Sequence, residues 1–312
     1  MGLMNDRTPG DRAQLVLVGS IAIAFIVLGL VVVFNTVLFT ESIATRGPVS
    51  EVEDADEFQR QVTDEVPELI RAVENGTDGN TEFVGDVDEN VSTTYSRLLA
   101  ETYAETGPTY VDVEFDEGES RFGTHVVQDS GAEYSSKEGS DWTAVDSYDV
   151  QNFTMEVSMS EVSTAGTDFA LVLSDGGSPT RVEMWKDGSG ELVVNQTDDG
   201  MDPTCSVSGG GTIRMNVSTG TVDGTPCFDG LDTLSAPYEI DFENGDQAGG
   251  DYSFSVPKRM SSSDLDPYHG RDGSSSPYAV YYVHEANLDL TYESGGVSYE
   301  SNQTVTVREG AP

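Results

Sequence analysis

Residues 238–256 read YEIDFENGDQAGGDYSFSV. Tyr238, Ile240 and Phe242 alternate with carboxylates, and after a break Tyr252, Phe254 and Val256 alternate with serines. Two successive runs of period two are two strands, each with one face buried. Asn244-Gly245-Asp246 between them is a turn signal, because Asn and Gly accept the left-handed backbone of a tight reversal. The same pattern extends outward. Val111, Val113 and Phe115 alternate, as do Phe153, Met155, Val157 and Met159, then Ile213, Met215 and Val217. Further turn signals stand at Ser174-Asp175-Gly176-Gly177, Asp187-Gly188-Ser189-Gly190 and Glu293-Ser294-Gly295-Gly296. Many short strands with glycine-rich turns and no helical period among them predict an antiparallel β-sandwich over residues 108–312.

Upstream the period lengthens. Val52, Ala55, Phe58, Val62, Val66, Leu69, Ile70 and Val73 recur at 3.6-residue spacing between acidic residues, which predicts an amphipathic helix that Pro67 kinks or restarts. Val87, Val91, Tyr95, Leu98, Leu99 and Tyr103 predict a second helix, ended by Gly107-Pro108. Residues 41–107 are thus a helical stalk or helix pair, the two stripes pairing with each other or covering a face of the β-domain.

Still further upstream, Leu15 to Phe34 holds 20 residues without a charge, and the uncharged stretch runs on to Thr40. Twenty helical residues span about 30 Å, the thickness of a hydrocarbon core. Residues 15–40 are therefore expected to form a transmembrane helix in the lipid bilayer, after a cytoplasmic N-terminus of residues 1–14. A cleaved secretory peptide is the rival, with Ser42-Ile43-Ala44 suiting a small-residue cleavage site, although the apolar run is longer than such signals need. Arg7 and Arg12 before the span, against Arg46 after it, bias the N-terminus to the cytoplasm. Six of the 11 asparagines sit in Asn-x-Ser/Thr sequons, where about two are expected by chance: Asn75, Asn90, Asn152, Asn195, Asn216 and Asn302. All six follow the span. So do the two cysteines, Cys205 and Cys227, whose even count in an exported region predicts one disulfide. A single-pass cell-membrane protein with its C-terminal domain extracellular is the expectation.

The charge has the same geography. Asp6, Asp11 and Glu41 balance Arg7, Arg12 and Arg46, so the whole net charge of -41 falls on residues 47–312. Such a surface excludes nucleic acid as a partner, since nothing neutralises phosphate. Acidic residues that outnumber basic ones by 56 to 15, with only three lysines, resemble the composition of proteins from extremely halophilic archaea. Molar salt shortens the Debye length to about 3 Å and screens this self-repulsion.

The stretch Asp11 to Gly47, DRAQLVLVGSIAIAFIVLGLVVVFNTVLFTESIATRG, resembles the N-termini of a group of uncharacterised haloarchaeal membrane-anchored proteins, which are similar in turn to archaeal type IV pilins. The resemblance implies processing at Arg12-Ala13-Gln14, with Gln14 as the new N-terminus, residues 1–14 as a pilin-type leader, and other pilin-like or envelope proteins as partners. Val18 stands where the common bacterial pilin pattern has Glu, a departure from that bacterial pattern. A plain single-pass anchor stands level with a pilin-like subunit.

For chemistry the residues offer little. His125, beside Val126 and Val127, reads as a strand residue, and His284-Glu285 lacks the second histidine of an HExxH helix. No nucleophile elbow, phosphate loop, zinc set or EF-hand spacing occurs, so no catalytic residue, metal or cofactor is expected. One connection stands apart. Between Val256 and Tyr278 a long segment carries Lys258, Arg259, Tyr268, His269 and Arg271, and this basic, aromatic cluster is a candidate contact loop. The first functional expectation is a noncatalytic, structural or adhesive cell-surface glycoprotein. A tethered binding module for surface polysaccharide or an envelope protein is the second, and a tethered carboxylate-dependent hydrolase the third.

Overall fold

The computed structural model describes residues 48–76, 80–164, 166–197, 204–271 and 275–308. The expected span 15–40 and the processing site Arg12-Ala13-Gln14 lie outside them. Among the described residues no helix is long and apolar enough to cross a membrane.

Chain order begins with helices: α1 (Pro48–Gly76), α2 (Asn80–Asp88), a π-helical turn (Glu89–Tyr95) and α3 (Ser96–Thr106). The strands follow: β1 (Tyr110–Gln128), β2 (Trp142–Tyr148), β3 (Gln151–Ser158), β4 (Phe169–Ser174), β5 (Thr180–Lys186), β6 (Leu192–Thr197) and β7 (Thr204–Val207). Then come β8 (Thr212–Asn216), β9 (Thr221–Val222), β10 (Thr225–Pro226), β11 (Tyr238–Glu243), β12 (Gly250–Val256), β13 (Tyr278–Glu293) and β14 (Ser298–Thr306). They form two antiparallel sheets, ordered β10-β9-β8-β3-β12-β1-β13-β14 and β2-β11-β4-β5-β6-β7. The protein is mainly β, with a sandwich-like body and few helices.

Three of the four turn signals close hairpins, β4–β5, β5–β6 and β13–β14. The fourth does not. β11 joins the six-stranded sheet and β12 the eight-stranded one, so Asn244–Gly249 is an arch between layers. Asn244 takes φ 52°, and the chain then wraps the backbone of Tyr134, whose N–H donates to the carbonyls of Gly245 (2.9 Å) and Ala248 (3.0 Å). A Cβ on Gly245 would overlap the Tyr134 carbonyl oxygen, so this close approach requires glycine. The alternation of residues 238–256 thus builds both inner faces at once: Ile240, Phe242, Tyr252 and Phe254 are all buried in one core with Tyr134, Phe153 and Phe169.

A second core lies beside the first. β1 and β13 are long enough to belong to both. Their pairing shifts register between Asp116 and Phe122. On the near side, Val111, Val113, Phe115, Leu288, Leu290 and Tyr292 pack under the helices, whereas Val126 and Ala279 on the far side join the sandwich core. The helices therefore cover one end of the eight-stranded sheet. α1 continues through Pro67 and buries Ala55, Phe58, Val62, Val66 and Ile70. Two expected stripe residues miss the core, since Val52 and Leu98 are each 50% exposed. The second helix is three segments, its π-helical turn placing Ser92 and Ser96 over the edge that β12 leaves open on β1. Ser96 Oγ accepts from the Val113 N–H and Ser92 Oγ from the Phe115 N–H, both at 2.9 Å. Four helical residues rise about 6 Å and two strand residues about 6.6 Å, so serines at i and i+4 meet alternate edge amides.

A candidate binding cavity at the junction of the two cores

The apolar stripe of α1 ends in a carboxylate. Glu74, four residues past Ile70, points into the sheet like the residues before it and is 6% exposed. Burial of that charge is tolerated because it is fully partnered. One oxygen accepts from the Val283 N–H at 2.8 Å, and the other from Arg308 Nη2 at 2.7 Å and Nε at 3.2 Å. Arg308 follows β14 and also stands over the Tyr282 ring, 6.0 Å from its centroid. Tyr282 is held by its cross-strand neighbour Gly123, where any Cβ would overlap the ring.

This ion pair forms one wall of a cavity of about 230 Å³, lined also by Asn75, His125, Val127, Arg271, Tyr278, Val280, Tyr281 and Tyr282. Arg271 reaches it from the connection after β12 and donates from Nη1 to the Glu74 carbonyl oxygen at 3.2 Å. His125 comes from β1, its Nδ1 3.0 Å from Ser255 Oγ. Burial, with the Arg308 guanidinium adding to it, pulls the imidazole down to about 4. It is neutral at neutral pH, a hydrogen-bonding group with no charge. Burial pushes the Tyr281 and Tyr282 phenols up, and the Tyr281 hydroxyl donates to the Met260 carbonyl at 2.9 Å. Glu74 is the single carboxylate among the described residues of the lining.

The candidate contact loop is only partly a surface feature. Tyr268 is 2% exposed, packs edge-to-face on Trp142 and donates to the Ala144 carbonyl at 2.6 Å. Its apolar ring outweighed the polar surroundings, so it is a core residue. The His269 N–H donates to the Pro277 carbonyl at 2.8 Å. Lys258 and Arg259 lie exposed with their charges over the rings of Tyr148 and Phe122, and Arg259 also pairs with Glu117 at 2.9 Å. Arg271 alone of the five lines the cavity.

Cys205 and Cys227 are joined, with their Cα atoms 5.8 Å apart. β7 and β10 are the edges of the two sheets, and Cys227 follows β10 directly, so the bridge stitches the sheets together at one end. Of the sequons, Asn75, Asn152 and Asn302 are exposed, and Asn195 and Asn216 are half-buried. Asn90 is half-buried in the π-helical turn, its amide donating to the Asp86 carbonyl at 2.8 Å. Among the described residues no cluster of His, Cys, Asp and Glu is arranged to hold a metal ion.

Glu74, His125, Arg271 and Arg308 are too far apart in the chain to form a motif. One signal was present, the carboxylate at the next position of an apolar stripe. Residues 9–136, which include the expected span, the helices and the Glu74 and His125 walls of the cavity, match the model of a family of unknown function (DUF7261). No curated protein and no solved structure matches the chain. Over residues 9–136 the chain is similar to that family.

Proposed function

We propose that this chain is a noncatalytic cell-surface protein, held in the lipid bilayer by the helix of residues 15–40, whose β-body stands outside the cell as a binding or adhesive module. The observation that carries the reading is the Cys205–Cys227 bridge between the edges of the two sheets, because a structural disulfide belongs to an oxidising compartment. Exposed sequons and the acid-rich body fit the same side of the membrane. The tyrosine-lined cavity favours the binding module over a purely structural subunit. Glu74, the one carboxylate among the described residues of its lining, is committed to Arg308 and Val283, which speaks against the hydrolase reading, where two carboxyl groups must converge. The pilin-like form adds processing after Ala13 and other envelope proteins as partners.

N-terminal mass spectrometry of the chain extracted from membranes tests the anchor. A chain beginning at or before Gln14 is expected, with Gln14 itself marking the pilin-like form. A soluble mature chain beginning at Thr45 would overturn the anchored reading.

A further inference from the structure

We infer that β14 is a self-association edge: two copies of this chain pair their β14 strands antiparallel, joining their eight-stranded sheets into one across a two-fold axis. The inference goes beyond the proposed function and does not rest on it. β14 (Ser298–Thr306) ends the eight-stranded sheet and keeps an unbroken register with β13, from Ser298 opposite Glu293 to Thr306 opposite Glu285. The Val307 N–H donates to the His284 carbonyl at 3.0 Å and the Ser294 N–H to the Val297 carbonyl at 2.8 Å, so the odd-numbered residues of β14 bond to β13. Ser298, Glu300, Asn302, Thr304 and Thr306 therefore turn their backbone N–H and C=O groups to the open side. Among the described residues the one group that meets these is the Ser301 hydroxyl, 3.5 Å from the Asn302 carbonyl oxygen.

The other three sheet edges carry features that stop a strand from adding. β10 is two residues long and contains Pro226, β7 is four residues long and tied by the Cys205 bridge, and β2 slips register twice against β11. β14 has no proline, no lysine, no register shift and a single charged residue, Glu300. Its sequence also complements itself. Antiparallel strands centred on Asn302 pair all nine residues. Tyr299 then stands opposite the partner subunit's Val305 in both halves, an aromatic beside a β-branched residue, as stable sheets favour. Glu300 stands opposite the partner subunit's Thr304, so no like charges face each other, and the two Glu300 carboxylates are about 13 Å apart, well beyond the Debye length of about 3 Å at molar salt. The amide nitrogen of Asn302, the atom a glycan would occupy, donates instead to the Asn287 side-chain oxygen and to Asp289 at 3.0 Å within its own sheet.

The test is sedimentation equilibrium of the full-length chain in density-matched detergent at molar salt. A monomer–dimer equilibrium is expected, with its dissociation constant raised at least tenfold in Thr304→Pro. Proline there removes an N–H that faces the open side and bonds to nothing in its own sheet, so circular dichroism should show the variant folded. Cysteine scanning fixes the register. Opposed residues at the two-fold lie about 5.5 Å apart at Cα, within disulfide reach, so Asn302→Cys should give a disulfide-linked dimer under a mild oxidant and Glu300→Cys should not. This pair decides the outcome if Thr304→Pro does not fold. A monomeric wild type, a dimer unchanged in folded Thr304→Pro, or cross-linking at residue 300 and not at 302 would overturn the inference.

Discussion

His125 shows how one residue reads differently in sequence and in space. Its valine neighbours place it correctly in a strand, but nothing local reveals that Arg308, 183 positions later, lies close enough to disfavour its charge. The folded-state value of about 4 lies below the unfolded 6.5, so the unfolded chain takes up the proton first. The stability from the neutral imidazole is whole above about pH 6.5 and is lost as pH falls toward 4. Glu74, Arg271, Arg308 and the three tyrosines share its cavity, so the comparison must be with a variant. Urea unfolding of wild type and His125→Gln at stepped pH should show the wild type losing up to about 3 kcal/mol relative to the variant between pH 6.5 and 4. Parallel curves would show that the imidazole is not held neutral. Glu74 was the more legible residue, since its place follows from counting along the α1 stripe. Its partners were not legible, because β13 and the segment after β14 reach it only through the tertiary fold.

At the scale of elements, local chemistry was a good guide to strands and a poor one to their neighbours. The hairpin turns at 174–177, 187–190 and 293–296 were readable because turn and strands lie together in sequence. The Asn244 turn has the same residue types yet crosses between sheets, and what decides this is Tyr134, 110 residues upstream. The helix-to-edge docking was equally invisible, although Ser92 and Ser96 carry it. Ser96→Ala leaves the buried Val113 N–H without its acceptor and should cost about 1–3 kcal/mol, measured as a lower denaturation midpoint with unchanged slope. No loss of stability would refute the edge-capping role. The disulfide was legible from cysteine count alone, but its sheet-to-sheet placement was not. Cys205 and Cys227 are separated by 22 residues, so replacing both with Ser should lower stability by about 3 kcal/mol, and denatured, unreduced wild type should expose no free thiol. Two labelled thiols would contradict the bridge.

For the whole molecule, the sequence's divisions follow charge and period, while the fold's divisions follow cores. β1 and β13 serve the helix-covered core and the sandwich core alike, and no change of composition marks the register shift where one gives way to the other. The charge, by contrast, is a property of the chain as a whole and needs no coordinates. Because the -41 falls entirely after residue 46, dilution from molar salt to about 0.1 M lengthens the Debye length from about 3 to about 10 Å and restores repulsion across the body. Circular dichroism should show the melting temperature falling as salt is diluted, and an unchanged melting temperature would count against a salt-dependent fold. The proposed reading places this body outside a membrane that the N-terminus holds. Protease added to intact cells, in the salt that preserves them, tests it most directly. Loss of residues 47–312 without lysis is the predicted result, and protection of the body until the cells are lysed would contradict it.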